Sequence, residues 1–222
     1  MKKSLVIIFV LVFGVKSLFA GLFPKVDKPV SPDASMIMLQ FSVDEKGNLE
    51  KFLNFNWSMW TPVVKDEEGN IVEFRVWTAG VDDMTDLYYK ENLKPGKYTL
   101  LGFNYVYTDF GKLEEYEKKK GGTELVSKNP YDDKPYRVKQ FFPLEKPYAF
   151  TLKPGTIMTL GHYVIKYKLK EGVSGTSDDR YRTLEDETKI MMADPEDQSL
   201  LTFVKPWASK KWKMWNARNP VQ

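Results

Sequence analysis

The stretch NLKPGKYTLLGF, residues 92–103, is partly repeated as TLKPGTIMTLGH at residues 151–162. Each copy reads Leu-Lys-Pro-Gly, continues with a short apolar run and reaches a Leu-Gly pair. Proline presets the backbone for the second position of a turn and glycine accepts the positive φ of the third, so each copy predicts a type II turn. We therefore expect strands over residues 86–91 and 97–107 around the first copy, and over residues 147–152 and 157–169 around the second.

Alternating apolar residues extend this β pattern towards the start of the chain. In MIMLQFSV, residues 36–43, every second residue is large and apolar, which predicts a strand with one strongly apolar face. DEKGN at residues 44–48 and DEEGN at residues 66–70 are typical of hairpin turns, because Gly and Asn both tolerate positive φ. Gly102 and Gly161 lie inside predicted strands and indicate bulges or close backbone approach.

The fold predicted from these signals is all-β. We expect residues 35–170 to form an antiparallel β-sandwich of the immunoglobulin or prealbumin-like kind, interrupted by a long loop at residues 108–136. That loop is charged and rich in Gly and Pro, with room for one or two helical turns near residues 112–119. Loops of this length are usually functional or without fixed structure, and both interpretations stay open.

Residues 1–20 have the layout of a secretory signal peptide. Lys2 and Lys3 precede an apolar run at residues 5–15, and Ala20 offers a small residue before the cleavage point. The run is shorter than the ~20 residues that a membrane span needs. An uncleaved anchor or a buried N-terminal element is the alternative. We expect an exported protein, periplasmic or extracellular, with residues 21–34 as a linker.

Composition narrows the classes of partner. The chain has no cysteine, so it has neither a lipidated cysteine nor disulfides and depends on its core for stability. Its 33 basic residues exceed its 30 acidic ones only because the predicted signal peptide contains three lysines and no acid. The remaining chain is therefore neutral, and we expect no nucleic-acid partner.

Residues 171–222 differ in kind from the predicted sandwich. Residues 178–197 carry eight acids and three bases, and a basic tail follows from Lys205. Thr183 and Asp194 are candidate N-caps, with Pro195 at a first helical position, so we expect two or three short helices here. The tail either lies on a membrane surface or docks back on the domain. Its candidate residues are Trp207, Trp212, Trp215, Lys210, Lys211 and Lys213.

Leu-Lys-Pro-Gly-Lys-Tyr-Thr-Leu at residues 93–100, followed by Gly102, resembles a strand junction of the prealbumin-like modules that accompany carboxypeptidases and occur in many secreted bacterial proteins. The resemblance covers about residues 35–169. It implies a two-sheet sandwich of about seven strands. It transfers no catalytic residue, since this family hosts transport, adhesion and structural roles.

Residues able to perform chemistry are scarce. His162 is the only histidine, so thiolate and multi-histidine zinc sites are excluded, and we expect His162 to be a structural or surface residue sharing a face with Met158, Leu160 and Val164. There is no Gly-x-Ser-x-Gly motif. The carboxylate pairs, such as Asp82 with Asp83, lack calcium-loop spacing. We expect no catalytic, cofactor-binding or metal-binding residues.

Aromatic residues, 14% of the chain, are the remaining functional signal. Most are expected to fill the core between the sheets. Tyr107, Tyr131 and Tyr136, in or beside the long loop, are candidates for ligand contact. The function predicted is an exported, non-catalytic β-sandwich of the bacterial envelope with a binding or structural role, its partner an envelope polysaccharide or another envelope protein. The alternatives are a carbohydrate- or peptidoglycan-binding protein and a peripheral membrane protein held by the tail.

Overall fold

The computed structural model describes residues 26–43, 58–78, 85–126, 129–166, 189–194 and 212. The predicted signal peptide, the turn at residues 44–48 and most of the predicted C-terminal helices lie outside these residues. The elements, in chain order, are β1 (Ser35–Val43), β2 (Ser58–Asp66), β3 (Arg75–Thr78), β4 (Thr85–Leu93), β5 (Gly96–Thr108), α1 (Phe110–Lys120), β6 (Arg137–Leu152), β7 (Ile157–Lys166) and β8 (Lys189–Asp194).

The strands form two sheets, as the all-β prediction requires. Five strands are ordered β3-β4-β1-β7-β8, and three are ordered β2-β5-β6. Neighbouring strands run antiparallel, with one exception: β1 and β7 are parallel. The prediction of purely antiparallel sheets is therefore wrong at this pair. The physical reason is that β7 leaves its sequence neighbour β6 and pairs with β1 in the other sheet.

An aromatic core joins the inner faces of the two sheets. Phe41 of β1 lies with its ring centroid 5.0 Å from that of Phe103 in β5, and Trp60 of β2 lies 5.1 Å from Tyr105. All four side chains are buried. Such rings contribute large buried areas and favour tilted or edge contacts. The two sheets are thus packed face to face as a β-sandwich.

Both Lys-Pro-Gly repeats connect one sheet with the other. Residues 93–96 lead from β4 of the five-stranded sheet to β5 of the three-stranded sheet, and residues 152–157 lead back from β6 to β7. In the second repeat Gly155 has φ 64°, and its N–H donates to the carbonyl of Asp33 at 3.1 Å. Ser35 strengthens this connection, since its hydroxyl donates to the carbonyl of Lys153 at 2.7 Å.

The first repeat does not form the predicted type II turn. Gly96 has φ 158°, far from the ~80° that such a turn needs, and the positive φ falls on Asn92 at 63°. Two contacts fix this different corner: the hydroxyl of Tyr98 donates to the carbonyl of Lys94 at 2.8 Å, and the N–H of Lys97 donates to Glu67 Oε1 at 2.9 Å. Tertiary hydrogen bonds have outweighed the local turn preference.

The predicted turn at residues 66–70 is confirmed, although the chain does not continue as a simple hairpin. The N–H of Asp66 donates to the carbonyl of Asn70 at 3.1 Å, and Gly69 has φ 87°. After one isolated bridge between Lys65 and Ile71, the chain crosses to the other sheet as β3. The side chains of Val72 and Phe74 are buried in the core, and this burial stabilises the crossing of residues 71–75 from one sheet to the other.

Both predicted irregularities at glycine are confirmed. The ladder between β5 and β6 shifts register between Leu100 and Gly102, where a Cβ on Gly102 would lie 2.2 Å from the carbonyl oxygen of Phe142. The ladder between β1 and β7 shifts between Met38 and Gln40, opposite Gly161, which has φ 92°. One glycine therefore permits close backbone approach and the other a bulge.

The long loop contains a helix of three turns rather than the one or two predicted. Asp109 caps α1, because its carboxylate accepts from the N–H of Lys112 at 3.1 Å, and Gly121 ends it with φ 75°. Asp109 and Gly121 are favourable caps that lengthen the helix beyond residues 112–119. The buried Leu113 anchors α1 to the protein.

The prediction of short helices in residues 171–222 is wrong at residues 189–194. Lys189–Asp194 is a strand that pairs antiparallel with β7 and extends the five-stranded sheet. Helix propensity differs between residues by less than ~1 kcal/mol, so a free sheet edge readily overrides it. Part of the segment expected to be a helical appendage therefore belongs to the sandwich.

Gly102→Ala should lower the free energy of unfolding by about 3 kcal/mol, because the added methyl group meets the backbone of β6 at 2.2 Å and overpacking costs ~1–3 kcal/mol or more. Gly122→Ala is the matched control, since a Cβ there meets no atom within 4 Å. Urea denaturation measures both. Equal stability of the two variants would contradict the close approach.

Candidate functional site

Of the three candidate tyrosines, one is buried and two are half-buried, so none is fully exposed to solvent. Tyr136 is 0% exposed, so it offers no ring face to solvent. Tyr131 is packed against the core, and its hydroxyl accepts the N–H of Phe74 at 2.9 Å. Burial raises the pKa of Tyr131 above its ordinary value. Tyr107 is half-buried, with its ring centroid 5.6 Å from that of Tyr105.

Two other rings are exposed among the described residues. Phe141 is 48% exposed and Tyr148 is 38% exposed, and both lie on β6, an edge strand of the three-stranded sheet. The sequence signal for them is the nearby pair of prolines, Pro143 and Pro147, since proline is confined to sheet edges. Tyr148 stacks on the buried Phe150 at 5.8 Å, so it extends the core outwards.

Trp212 is the only one of the six candidate tail residues that the structure describes; Trp207, Trp215, Lys210, Lys211 and Lys213 lie outside the described residues. Trp212 is 1% exposed, and its indole N–H donates to the carbonyl of Asp27 at 2.9 Å. It belongs to a second apolar cluster on the outer face of the five-stranded sheet, formed by Val26, Ala34, Met36, Met38, Leu87, Tyr89, Ile157 and Trp212. Its ring is therefore not presented to a membrane surface.

Residues 26–30 and Trp212 together form what we call the terminal clasp. The N–H of Asp27 donates to Glu91 Oε1 at 3.0 Å. Further along, the N–H of Val30 donates to Asn92 Oδ1 at 2.9 Å, and Asn92 Nδ2 donates to the carbonyl of Lys28 at 3.1 Å. Part of the segment predicted to be a linker is thus hydrogen-bonded along β4.

Arg75 forms ion pairs with two acidic residues of the terminal clasp and its neighbouring strand β4. Its Nη1 lies 2.9 Å from Glu91 Oε1, and its Nη2 lies 2.5 Å from Asp27 Oδ2. Partial burial disfavours the cation, but the hydrogen bond that Arg75 donates to Asp27 and the negative charge of Glu91 outweigh it, so the pKa of Arg75 is raised. Glu91 is 4% exposed, and a buried carboxylate needs such a partner.

A polar cleft of about 600 Å³ lies between the turn at residues 66–70 and the first Lys-Pro-Gly connection. This volume is within the range of small-molecule sites. Its walls are formed by Asp66, Glu67, Glu68, Asn70, Asn92, Leu93, Lys94, Pro95, Gly96, Lys97 and Tyr98. The ladder position of Asp66 opposite Tyr98 brings the two turns together, which the separate turn motifs could not reveal.

Hydrogen bonds hold one wall of the cleft in place. Asp66 Oδ1 accepts the N–H of Asn70 at 2.7 Å, and Asp66 Oδ2 accepts from Asn70 Nδ2 at 3.0 Å. The side-chain bond from Asn70 is the main reason that the pKa of Asp66 lies below its ordinary value. Within the described residues, Glu68, Lys94 and Lys97 form no side-chain ion pair, so both charge signs remain available to a ligand.

His162 lies on the outer face of the five-stranded sheet, and its Nε2 is 2.7 Å from the hydroxyl oxygen of Ser42. The expectation that it shares a face with Leu160 is wrong, because the bulge at Gly161 changes the alternation and Leu160, Tyr163 and Ile165 face the core. Across the parts of the chain that the structure describes, no three His, Asp or Glu side chains converge as metal ligands.

Comparison of the chain with protein-family models, with curated proteins and with solved structures finds no match. The described residues also include no helix with the length and apolar character needed to span a membrane.

Trp212→Ala should lower the free energy of unfolding by about 3–5 kcal/mol, as expected for removing a fully buried tryptophan. Trp212→Phe keeps most of the ring and loses the hydrogen bond to Asp27, so its cost should be nearer ~1–2 kcal/mol. Urea denaturation of the protein without residues 1–20 measures the change in the free energy of unfolding for both variants. An unchanged stability in Trp212→Ala would show that the tail does not dock at the clasp.

Proposed function

We propose that this is an exported protein of the bacterial cell envelope whose sandwich binds a polar envelope polymer. The layout of residues 1–20 supports export. The neutral charge of the remaining chain and the resemblance to secreted prealbumin-like modules are in keeping with it. The observation that carries the binding role is the polar cleft between the turn at residues 66–70 and the first Lys-Pro-Gly connection.

The lining of the cleft favours a ligand rich in hydroxyl and amide groups. Carboxylates accept hydrogen bonds, ammonium groups donate them, and the amides of Asn70 and Asn92 do both. Hydrogen bonds to charged groups contribute more than neutral ones, about 1.5–3 kcal/mol each. A glycan such as the peptidoglycan backbone offers matching groups, and its peptide stems add amine and carboxylate.

In the proposed site a sugar binds through hydrogen bonds to polar side chains rather than by stacking on several exposed aromatic rings. Stacking on exposed aromatics needs several ring faces in one plane, and the exposed aromatic side chains among the described residues are Phe141 and Tyr148. They lie on opposite faces of β6, because Phe141 adjoins the core residue Phe142, whereas Tyr148 is two positions from the core residue Phe150. The cleft needs no such platform, because its carboxylates and ammonium groups provide direction and specificity.

The cleft predicts how binding responds to mutation. Without residues 1–20, the protein should sediment with purified peptidoglycan sacculi, and Glu68→Gln combined with Lys97→Gln should weaken retention by about tenfold, the loss of ~1.4 kcal/mol or more. Neither side chain forms an ion pair with another described residue, so folding should be unaffected.

The matched control is Glu114→Gln combined with Lys118→Gln on the exposed side of α1, which makes the same change in charge away from the cleft. Its retention should equal that of the unaltered protein. Failure of the unaltered protein to sediment, or equal loss in both double variants, would contradict binding at the cleft.

A further inference from the structure

The only histidine of the chain contacts a serine on the outer face of the five-stranded sheet. Ser42 is on β1 and His162 is on the adjacent parallel strand β7, and the distance from Ser42 Oγ to His162 Nε2 is 2.7 Å. Both side chains are half-buried, so they remain reachable from solvent. A serine hydroxyl within 2.6–3.2 Å of an imidazole nitrogen is the arrangement of a nucleophile and its base.

A bulge places His162 in this position. Leu160 faces the core, so simple alternation would also turn His162 inwards. Instead the register with β1 shifts opposite Gly161, which has φ 92°, and the core-facing positions continue at Tyr163 and Ile165. Bulges that redirect one side chain occur preferentially beside active sites. The irregularity therefore places the imidazole beside Ser42.

The nitrogen of His162 that faces Ser42 is Nε2. In serine nucleophile triads on unrelated folds, the same imidazole nitrogen faces the serine.

We propose that Ser42 and His162 form an acyl-transfer site that cleaves carboxylic esters. This activity goes beyond the proposed binding role and does not depend on it, since Ser42 and the cleft lie towards opposite ends of β1. The sequence does not reveal the site, because the two residues are 120 positions apart and no nucleophile motif surrounds Ser42.

The chemical steps balance without any further reactant than water. Ser42 Oγ attacks the ester carbonyl carbon while its proton passes to Nε2, which must be the unprotonated nitrogen, with the imidazole proton on Nδ1. The leaving alcohol takes the proton from Nε2 as the ester C–O bond breaks. Water then attacks the acyl-serine, gives a proton to Nε2, and releases the carboxylic acid as Ser42 regains its proton.

The test is covalent labelling of the folded protein, without residues 1–20, by a fluorophosphonate, a probe that reacts with activated serines. Mass spectrometry should locate the label on Ser42. Ser42→Ala should lose it, and His162→Gln should label roughly 100-fold more slowly or less, as expected for loss of a general base. Gln40→Ala, which leaves both groups in place opposite the same bulge, is the matched control and should label within about threefold of the unaltered protein.

Hydrolysis of p-nitrophenyl acetate should follow the same order across these variants. Absence of label on Ser42 in a protein whose circular dichroism shows intact strands would overturn the proposal. Equal labelling of His162→Gln would do so as well. Either result leaves the pair as a structural hydrogen bond.

Discussion

The central strand β1 is apolar on both faces, and most of the structure follows from covering both of them. Met36, Ile37, Met38 and Leu39 are all 0% exposed. Antiparallel sheets commonly expose one face to solvent, whereas both faces of β1 are buried at these positions. Burying each such side chain contributes about 1.5–3 kcal/mol, so this short run accounts for a substantial part of the stability.

The two faces of β1 are covered by different parts of the chain. The three-stranded sheet covers the inner face through the aromatic core, and Val26 with Trp212 covers the outer face. Two residues far apart in sequence, Val26 and Trp212, thereby pack on the same strand. Beside them Glu91, which is paired with Arg75, accepts the backbone N–H of Asp27. The clasp is consequently part of the fold rather than an accessory to it.

The edges of β1 are also occupied, by β4 on one side and β7 on the other. The strand therefore holds the proposed sites in fixed positions. Ser35 at its start is paired with Leu93, which lines the cleft, and Ser42 near its end contacts His162. Binding and ester cleavage, as proposed, would act from two regions of one sheet.

The sequence was sufficient for features that depend on local chemistry, and insufficient for those that depend on long-range pairing. Alternation located β1, and turn residues located the reversal at residues 66–70 and both Lys-Pro-Gly connections. Local patterns do not say which sheet the next strand joins, so the parallel pairing of β7 and the sheet change after the turn at residues 66–70 were missed. Helix propensity likewise misjudged Lys189–Asp194, where the edge of β7 decides the structure.

The candidate sites illustrate the same limit. Tyr136 looked available because its sequence neighbours are polar, yet tertiary packing buries it completely. The cleft arises where two turns, each recognisable alone, meet through the pairing of Asp66 with Tyr98. The position of Ser42 beside His162 depends on a bulge and a parallel ladder, neither of which has a specific sequence signal beyond Gly161.

Native-state hydrogen exchange of the backbone amides of β1 tests most directly the claim that this strand is the fully enclosed centre of the fold. If both of its faces and both of its edges are covered, the amides of residues 37–41 should exchange only through global unfolding. Their opening free energy should then match that from denaturation and fall with urea at the same slope, while those of the edge strand β3 exchange through smaller openings. Exchange of the β1 amides through openings as small as those of β3 would contradict the account.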